Sequence, residues 1–489
     1  MRTFSATSEV VEADLVLTDA LLVDGTGAPP VRGNLAIKDG RIAALGDFPI
    51  APGTPVRQAA GRVVTPGFID SHTHDDGYLL VHPEMKPRVS QGVTTVVTGN
   101  CGISLAPLVS PAIPQPLDLL GSNMLFRFTS FTAWLQALRD APAAVNVVPL
   151  VGHTTLRVAA MTDTGRAATD SERDRMRAMV GEAMDAGAFG LSTGTFYPPA
   201  AAAPTDEIIG VGQPLLGRRA IYATHLRDEA DQIVPAMHEA LAIGRALDAR
   251  VVFSHHKVAG ERNHGRTRET LALIDQAAAM QPVCLDCHPY PATSTMLRLD
   301  RVRLASRTLV TWSEGYPDAT GRDFADVMAE LGLDDDATVA RLSPAGAIYF
   351  LMDEGDIRRI YTHPLAMVGS DGLPFDRHPH PRQWGTFPRV LRALVREQKL
   401  LTLPAAIHKM TGLPARQYGL RERGLLREGF HADLVMFDPE TITDLATFSH
   451  PVQASCGIEG VWVNGEQVWD GTQTGKARPG RVLAPAREQ

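Results

Sequence analysis

The 489-residue chain carries 55 acidic and 47 basic side chains, a formal charge of −8, which excludes a generic nucleic-acid binder because phosphate recognition needs clustered excess positive charge. A hydrophobic fraction of 44 % beside 21 % charged residues is ordinary for a globular chain and excludes intrinsic disorder. The cysteines Cys101, Cys284, Cys287 and Cys456 are too few for a disulfide scaffold, no stretch approaches ~18 uninterrupted apolar residues, and no basic segment leads into an apolar run at the N-terminus. A soluble protein of a reducing compartment, the cytoplasm, is expected, with neither membrane nor nucleic acid as partner.

The first sixty or so residues alternate apolar and polar positions between turn signals, at Ala13 to Val23, Gly33 to Lys38 and Arg41 to Leu45, which predicts short antiparallel strands. The C-terminal end has the same character, with Ala432 to Phe437, Gly460 to Val463 and Glu466 to Val468 around an Asn464-Gly465 hairpin turn. Between them, apolar strands end in polar clusters and lead into helix-like stretches such as Ser171 to Ala186 and Ala230 to Leu247. The predicted strand ends are Gly67 to Asp70, Thr94 to Val97, Val145 to Val151, Ala188 to Leu191, Ile221 to Thr224, Val251 to Ser254, Val283 to Asp286 and Ala366 to Gly369. Eight βα units predict an α/β fold: a (β/α)8 TIM-like barrel over 66–420, with a small β-sandwich domain formed by both chain ends, 1–65 and 421–489. The interval between the seventh and eighth strand ends is too long for a simple βα unit, so an inserted lid with two helix-like stretches is expected over about 291–361.

In a barrel of this kind chemistry sits at the C-terminal strand ends, and the unusual polar residues fall there. His72 and His74, at i and i+2 after the first strand, put both imidazoles on one side of an extended backbone. Asp75 and Asp76 suit orienting carboxylates or a solvated turn. Cys101 lies in Thr98-Gly99-Asn100-Cys101-Gly102 past the second strand, and His225 and His255 end the fifth and sixth. A thiolate with two imidazoles is a natural zinc set with room for a water, and His72 with His74 can hold a second, weaker ion. Asp371, in Gly369-Ser370-Asp371-Gly372, is placed to move a proton between water and a leaving amine.

Together, Gly67-Phe68-Ile69-Asp70-Ser71-His72-Thr73-His74, Thr98 to Gly102, Gly190-Leu191-Ser192-Thr193-Gly194, Ser254-His255-His256-Lys257, Gly369 to Pro374 and Gly385-Thr386-Phe387-Pro388-Arg389 resemble the N-acyl-D-amino-acid deacylases (D-aminoacylases) of the metal-dependent amidohydrolase superfamily, over nearly the whole chain. The resemblance implies one tight zinc on Cys101, His225 and His255, a weaker site at His72 and His74, and hydrolysis of a small-molecule N-acyl-D-amino acid with Asp371 as base and then acid. It also implies Tyr197 as hydrogen-bond donor to the oxyanion, with Lys257 and Tyr290 on the substrate carboxylate. Arg377 and Arg382, shortly after Asp371, offer further fork-shaped contacts. The fourth strand lacks the lysine that many relatives carboxylate to bridge two metals, so thiolate bridging is the consistent reading. His288 stands where relatives commonly place tyrosine. Arg298, Arg301 and Arg303 in the lid motivate a preference for N-acyl-D-glutamate. The alternatives are a cyclic-amide hydrolase of the hydantoinase or dihydroorotase type, and a noncatalytic metal-binding barrel. Cys284 and Cys287, on opposite faces of one strand, are expected to be buried thiols rather than a second zinc site.

Overall fold

The computed structural model describes residues 9–485; residues 1–8 and 486–489, the outermost parts of the two expected small-domain segments, lie outside the described residues. The alternating segments near the N-terminus form strands Leu15–Leu22, Val31–Lys38 and Arg41–Gly46, paired antiparallel in sequence order. The seam between the chain ends is the strand Val63–Pro66, which runs parallel to Leu21 and Leu22 on one side and antiparallel to Leu434–Phe437 on the other. From there Ile458–Val463 and Glu466–Trp469 extend the sheet, and Val56–Gln58, parallel to Leu15–Leu22, makes it eight-stranded. This sheet forms the small β-sandwich domain, folded over Leu17, Leu35, Ile37, Val64, Leu434, Met436 and Trp462.

The central chain is a TIM barrel. Parallel pairs join Phe68–Asp70, Val93–Thr98 and Asn146–Pro149, and a second run joins Val151–Gly152, Gly190–Gly194, Ile221–His225, Arg250–Phe253, Val283–Cys287 and Ala366–Val368. The third strand is interrupted at Leu150, and closure between first and eighth comes from a Thr73–Gly372 bridge. Strand interiors fill the axis with Val97, Val148, Leu150, Ile221, Val252, Cys284 and Met367. Cys287 packs in the separate outer core, so the two thiols do face opposite sides of their strand. Helix boundaries follow local chemistry. Asp170–Ala186 opens on a reciprocal capping box between Thr169 and Glu172 and stops at Gly187, whose left-handed φ of 117° closes the last turn.

The long insertion holds more strand than its sequence showed. Ala292–Met296, Arg307–Ser313 and Ala345–Phe350 form an antiparallel sheet, with helices Leu299–Leu304, Phe324–Leu331 and Asp335–Leu342 around it. Glu354–Thr362, inside the span expected for the lid, is instead a barrel helix packed on Thr267–Ala278 and the last two barrel strands. Beyond the small domain the chain returns beneath the barrel, where Val147 donates to Arg481 O and Leu483 donates to Val147 O, both at 2.9 Å. Among the described residues no helix is long and apolar enough to cross a membrane.

Candidate metal centre and active site

The donors converge because each lies at or just past the C-terminal end of a barrel strand, three of them on left-handed residues. Thr73 turns away, its N–H and hydroxyl both donating to Val97 O (3.0 and 2.8 Å), which leaves His72 and His74 facing the barrel mouth. Cys101 has a left-handed φ of 54° between Gly99 and Gly102, themselves at 74° and 75°. Its sulfur lies 3.3 Å from both His72 Nε2 and His255 Nε2. His255 is also left-handed (φ 36°), and its N–H donates to Asp286 Oδ1 at 2.7 Å. Asp371 completes the set with φ 51° and an N–H donating to His72 O at 2.9 Å. Its Oδ1 is 3.2 Å from His74 Nε2 and 3.4 Å from His72 Nε2, and its Oδ2 is 2.8 Å from Arg382 Nη1.

These groups fit a metal. Ligand atoms of His72, Cys101, His255 and Asp371 lie within 4.8 Å of one another, as do those of His225, Glu229 and His255. The His225 ring, stacked 4.9 Å from Phe196, is buried with neither nitrogen hydrogen-bonded, an arrangement that costs free energy unless a cation takes a lone pair. Burial lowers the His72 imidazole to about 3 and holds His225 and His255 below their ordinary value, so their lone pairs are free for coordination. Burial pushes the Cys101 thiol up, and a divalent cation is what makes it a thiolate. Against the desolvation that favours the neutral acid, Arg382 and then His255 keep the Asp371 carboxyl well below the usual carboxylate range.

The cavity above the donors is lined by Phe196, Tyr197, Lys257, Arg301, Tyr349 and the lid strand at Thr293 to Thr295, together with His74, His225, His255 and Asp371. The Tyr197 hydroxyl is 3.0 Å from Thr295 Oγ1, and Lys257 Nζ donates to Glu229 Oε1 at 2.6 Å. Two expected residues do not reach this cavity. Tyr290 is buried outside it, edge-on to His380 at 5.1 Å and under the Arg389 guanidinium at 4.6 Å. Arg377 is exposed on the strap between Asp371 and His380; Arg382, the first residue of the helix Arg382–Arg389, is the arginine that meets Asp371. Arg303 is also outside, paired with Asp335 and Asp336, and Arg298 pairs with Asp300 while lying 4.3 Å over Phe196. Only Arg301 of the three lid arginines lines the cavity.

Asp75 and Asp76 do not touch an imidazole: Asp75 pairs with buried Arg88, and Asp76 accepts from Gly99 N at 3.2 Å, securing the Cys101 turn. Besides Asp371, two carboxylates beside the histidines are ones the sequence reading did not single out. Asp286 Oδ1 is 3.4 Å from His72 Nδ1, and Glu229 Oε1 is 3.1 Å from His255 Nδ1. Their signals were present, Asp286 at a strand end and Glu229 four residues past His225, but acidic residues are common in both contexts.

The amidohydrolase family profile matches residues 56–216 and 234–469. The chain belongs to the amidohydrolase family. N-acyl-D-aspartate deacylase of Alcaligenes xylosoxydans xylosoxydans is 73 % identical over 475 residues, covering 97 % of this chain and 95 % of that protein. A D-aminoacylase crystal structure superimposes with a TM-score of 0.94 at 53 % identity, covering 96 % of this chain and all of the other. N-acyl-D-glutamate deacylase from Bordetella bronchiseptica, solved with zinc and a phosphonate that mimics the tetrahedral reaction intermediate, matches with a TM-score of 0.93 at 45 % identity, over 97 % of this chain and 100 % of that one. The donor cluster of this amidohydrolase fits a metal ion, and the relatives it is similar to are deacylases of N-acyl-D-aspartate and N-acyl-D-glutamate.

Proposed function

We propose that this amidohydrolase releases D-amino acids from their N-acyl derivatives and prefers an acidic side chain, N-acyl-D-aspartate before N-acyl-D-glutamate. The observation that carries the reading is a metal-ready donor cluster sharing one closed cavity with two cations, Lys257 and Arg301. Two cations suit a substrate with two carboxylates; a hydantoin ring carries none and a dihydroorotate ring only one. The similarity to an N-acyl-D-aspartate deacylase supports the shorter side chain.

Cys101, His225 and His255 would hold the first zinc, with His72, His74 and Asp371 able to support a second. When bound, zinc supplies Lewis-acid chemistry. Asp371 takes the proton of the attacking water as the carbon–oxygen bond forms, then delivers it to the amide nitrogen as the carbon–nitrogen bond breaks, giving a carboxylate and a free amine. The contacts of Asp371 with Arg382 and His74 fix both oxygens for that transfer. Tyr197, whose hydroxyl burial keeps protonated, donates to the developing oxyanion. Lys257 meets the α-carboxylate and Arg301 the side-chain carboxylate.

The test compares kcat/KM for the D and L forms of N-acetyl-aspartate, N-acetyl-glutamate and N-acetyl-leucine in the parent enzyme and in Arg301→Leu. A charged hydrogen bond contributes about 1.5–3 kcal/mol, so the variant should lose about tenfold to a hundredfold on the D-aspartate substrate and little on D-leucine. Preference for D-leucine in the parent, or a uniform loss in the variant, overturns the acidic assignment.

A further inference from the structure

Glu229 is 3 % exposed and stands where the metal donors and the substrate-facing cations meet. Its Oε1 accepts from Lys257 Nζ at 2.6 Å and lies 3.1 Å from His255 Nδ1; its Oε2 lies 3.5 Å from His225 Nε2 and 3.8 Å from Arg301 Nη2. Among the described residues, no other carboxylate forms an ion pair with any of these four side chains. The backbone holds it in place, because Ala259, two residues past Lys257, donates its N–H to Glu229 O at 2.7 Å.

We propose that Glu229 is a positioning residue that couples metal holding to carboxylate recognition, a role that rests on the substrate reading above. The chemistry follows from the two nitrogens of His255. Nε2 faces the Cys101 sulfur, so an ion bound there leaves the ring proton on Nδ1, which needs an acceptor. Glu229 Oε1 is that acceptor, and it also holds the Lys257 ammonium, whose Nζ lies 2.8 Å from the same Nδ1. Two donors cannot point at each other, so once Nδ1 carries its proton the Lys257 hydrogen directed at it turns to the cavity. The second oxygen of Glu229 draws Arg301 toward the same wall while Phe196 lies 4.3 Å beneath its guanidinium. One carboxylate thereby sets the orientation of a metal ligand and the placement of both cations offered to substrate.

The decisive variant is Glu229→Gln, read in two assays. Zinc affinity is measured by competition with a chelator, and selectivity as the ratio of kcat/KM for N-acetyl-D-aspartate to that for N-acetyl-D-leucine, at saturating zinc. Loss of an outer partner of a metal-bound histidine lowers metal affinity by about 10–100-fold, and the acidic-over-neutral ratio is expected to fall about tenfold with it. Should the glutamine variant not fold, Glu229→Asp, which keeps the charge but withdraws it by one methylene, is read by the same two criteria. Either quantity remaining within threefold of the parent overturns the coupling, since a purely structural glutamate would slow both substrates alike and leave zinc untouched. A zinc-loaded parent that hydrolyses no N-acyl-D-amino acid refutes the substrate reading itself, and the coupling with it.

Discussion

Gly194→Ala is the change that most directly tests how the donors are held. Gly194 ends the fourth barrel strand and pairs in register with His225 on the fifth. A Cβ built there lies 2.1 Å from Cys101 O, whereas real Cβ contacts do not come under 3.0 Å. About 1 Å of movement is therefore required, and either side that yields carries a donor, the Cys101 turn or the strand bearing His225. Zinc–ligand distances tolerate only about ±0.2 Å, and a misplacement near 1 Å costs on the order of a hundredfold in rate. Overpacking itself destabilises by roughly 1–3 kcal/mol, which a chain of this size survives. The expected result is a folded protein with zinc affinity and kcat/KM both reduced at least tenfold, read by elemental analysis after dialysis, chelator competition and circular dichroism. Gly210→Ala, mid-helix with Arg177 Nη2 at 3.7 Å as its nearest neighbour, is the matched control and should change neither. Full zinc loading at parental affinity with activity within threefold would refute the packing argument.

Asp371→Asn should lower kcat by about 10²–10⁴ while zinc remains bound at Cys101, because the amide keeps the shape but not the proton-accepting charge; loss of zinc in step with activity would mean that Asp371 acts mainly as a ligand. Dialysis against a strong chelator should abolish turnover and lower the melting temperature, with zinc restoring both, as expected for an ion bound only by the folded chain; activity that persists after complete zinc removal contradicts this. Glu207, buried behind the third and fourth strands, is carried from 4.5 to about 2 against desolvation by His153 and then Arg157. A depressed carboxyl stabilises the fold above about pH 4.5 and loses that contribution as pH falls toward 2. Glu207→Gln should therefore flatten the fall in unfolding free energy between pH 5 and pH 3 in denaturant titrations, and parallel slopes for parent and variant would rule this out.

Much of the barrel was legible because its signals are local: an apolar run, then a polar cluster, then a helical period. Ile221–His225 and Val283–Cys287 lie within two residues of their expected ends for that reason. The lid sheet was not, because Ala292–Met296 and Ala345–Phe350 pair across more than fifty residues and carry no alternation that separates them from loop. The metal-facing side chains were visible as residue types at strand ends. Their partners were not: Glu229 and Asp286 are ordinary acids in sequence and become distinctive only when burial removes water from them, which lifts the Asp286 carboxyl to about 7. Arg377 and Arg382 are five residues apart with the same chemistry, and only the helix that begins at Arg382 turns one of them inward.

The left-handed backbone at Cys101, His255 and Asp371 links these observations. An extended strand directs successive side chains to opposite faces, and at these three positions just past a strand end the left-handed residue sets which way the donor points. For a residue with a Cβ that conformation costs of order 1–3 kcal/mol and persists where the surroundings over-determine it. Each case has such a clamp: Gly99 N on Asp76 Oδ2, His255 N on Asp286 Oδ1, and Asp371 N on His72 O. Two of the three clamps are buried carboxylates, so the acids around the centre work on the backbone of the donors as much as on their rings. It follows that Asp286→Asn, which retains an acceptor for His255 N, should preserve the centre better than Asp286→Ala, which removes it. Equal loss of zinc affinity in the two would show that the charge beside His72, and not the backbone clamp, is what Asp286 contributes.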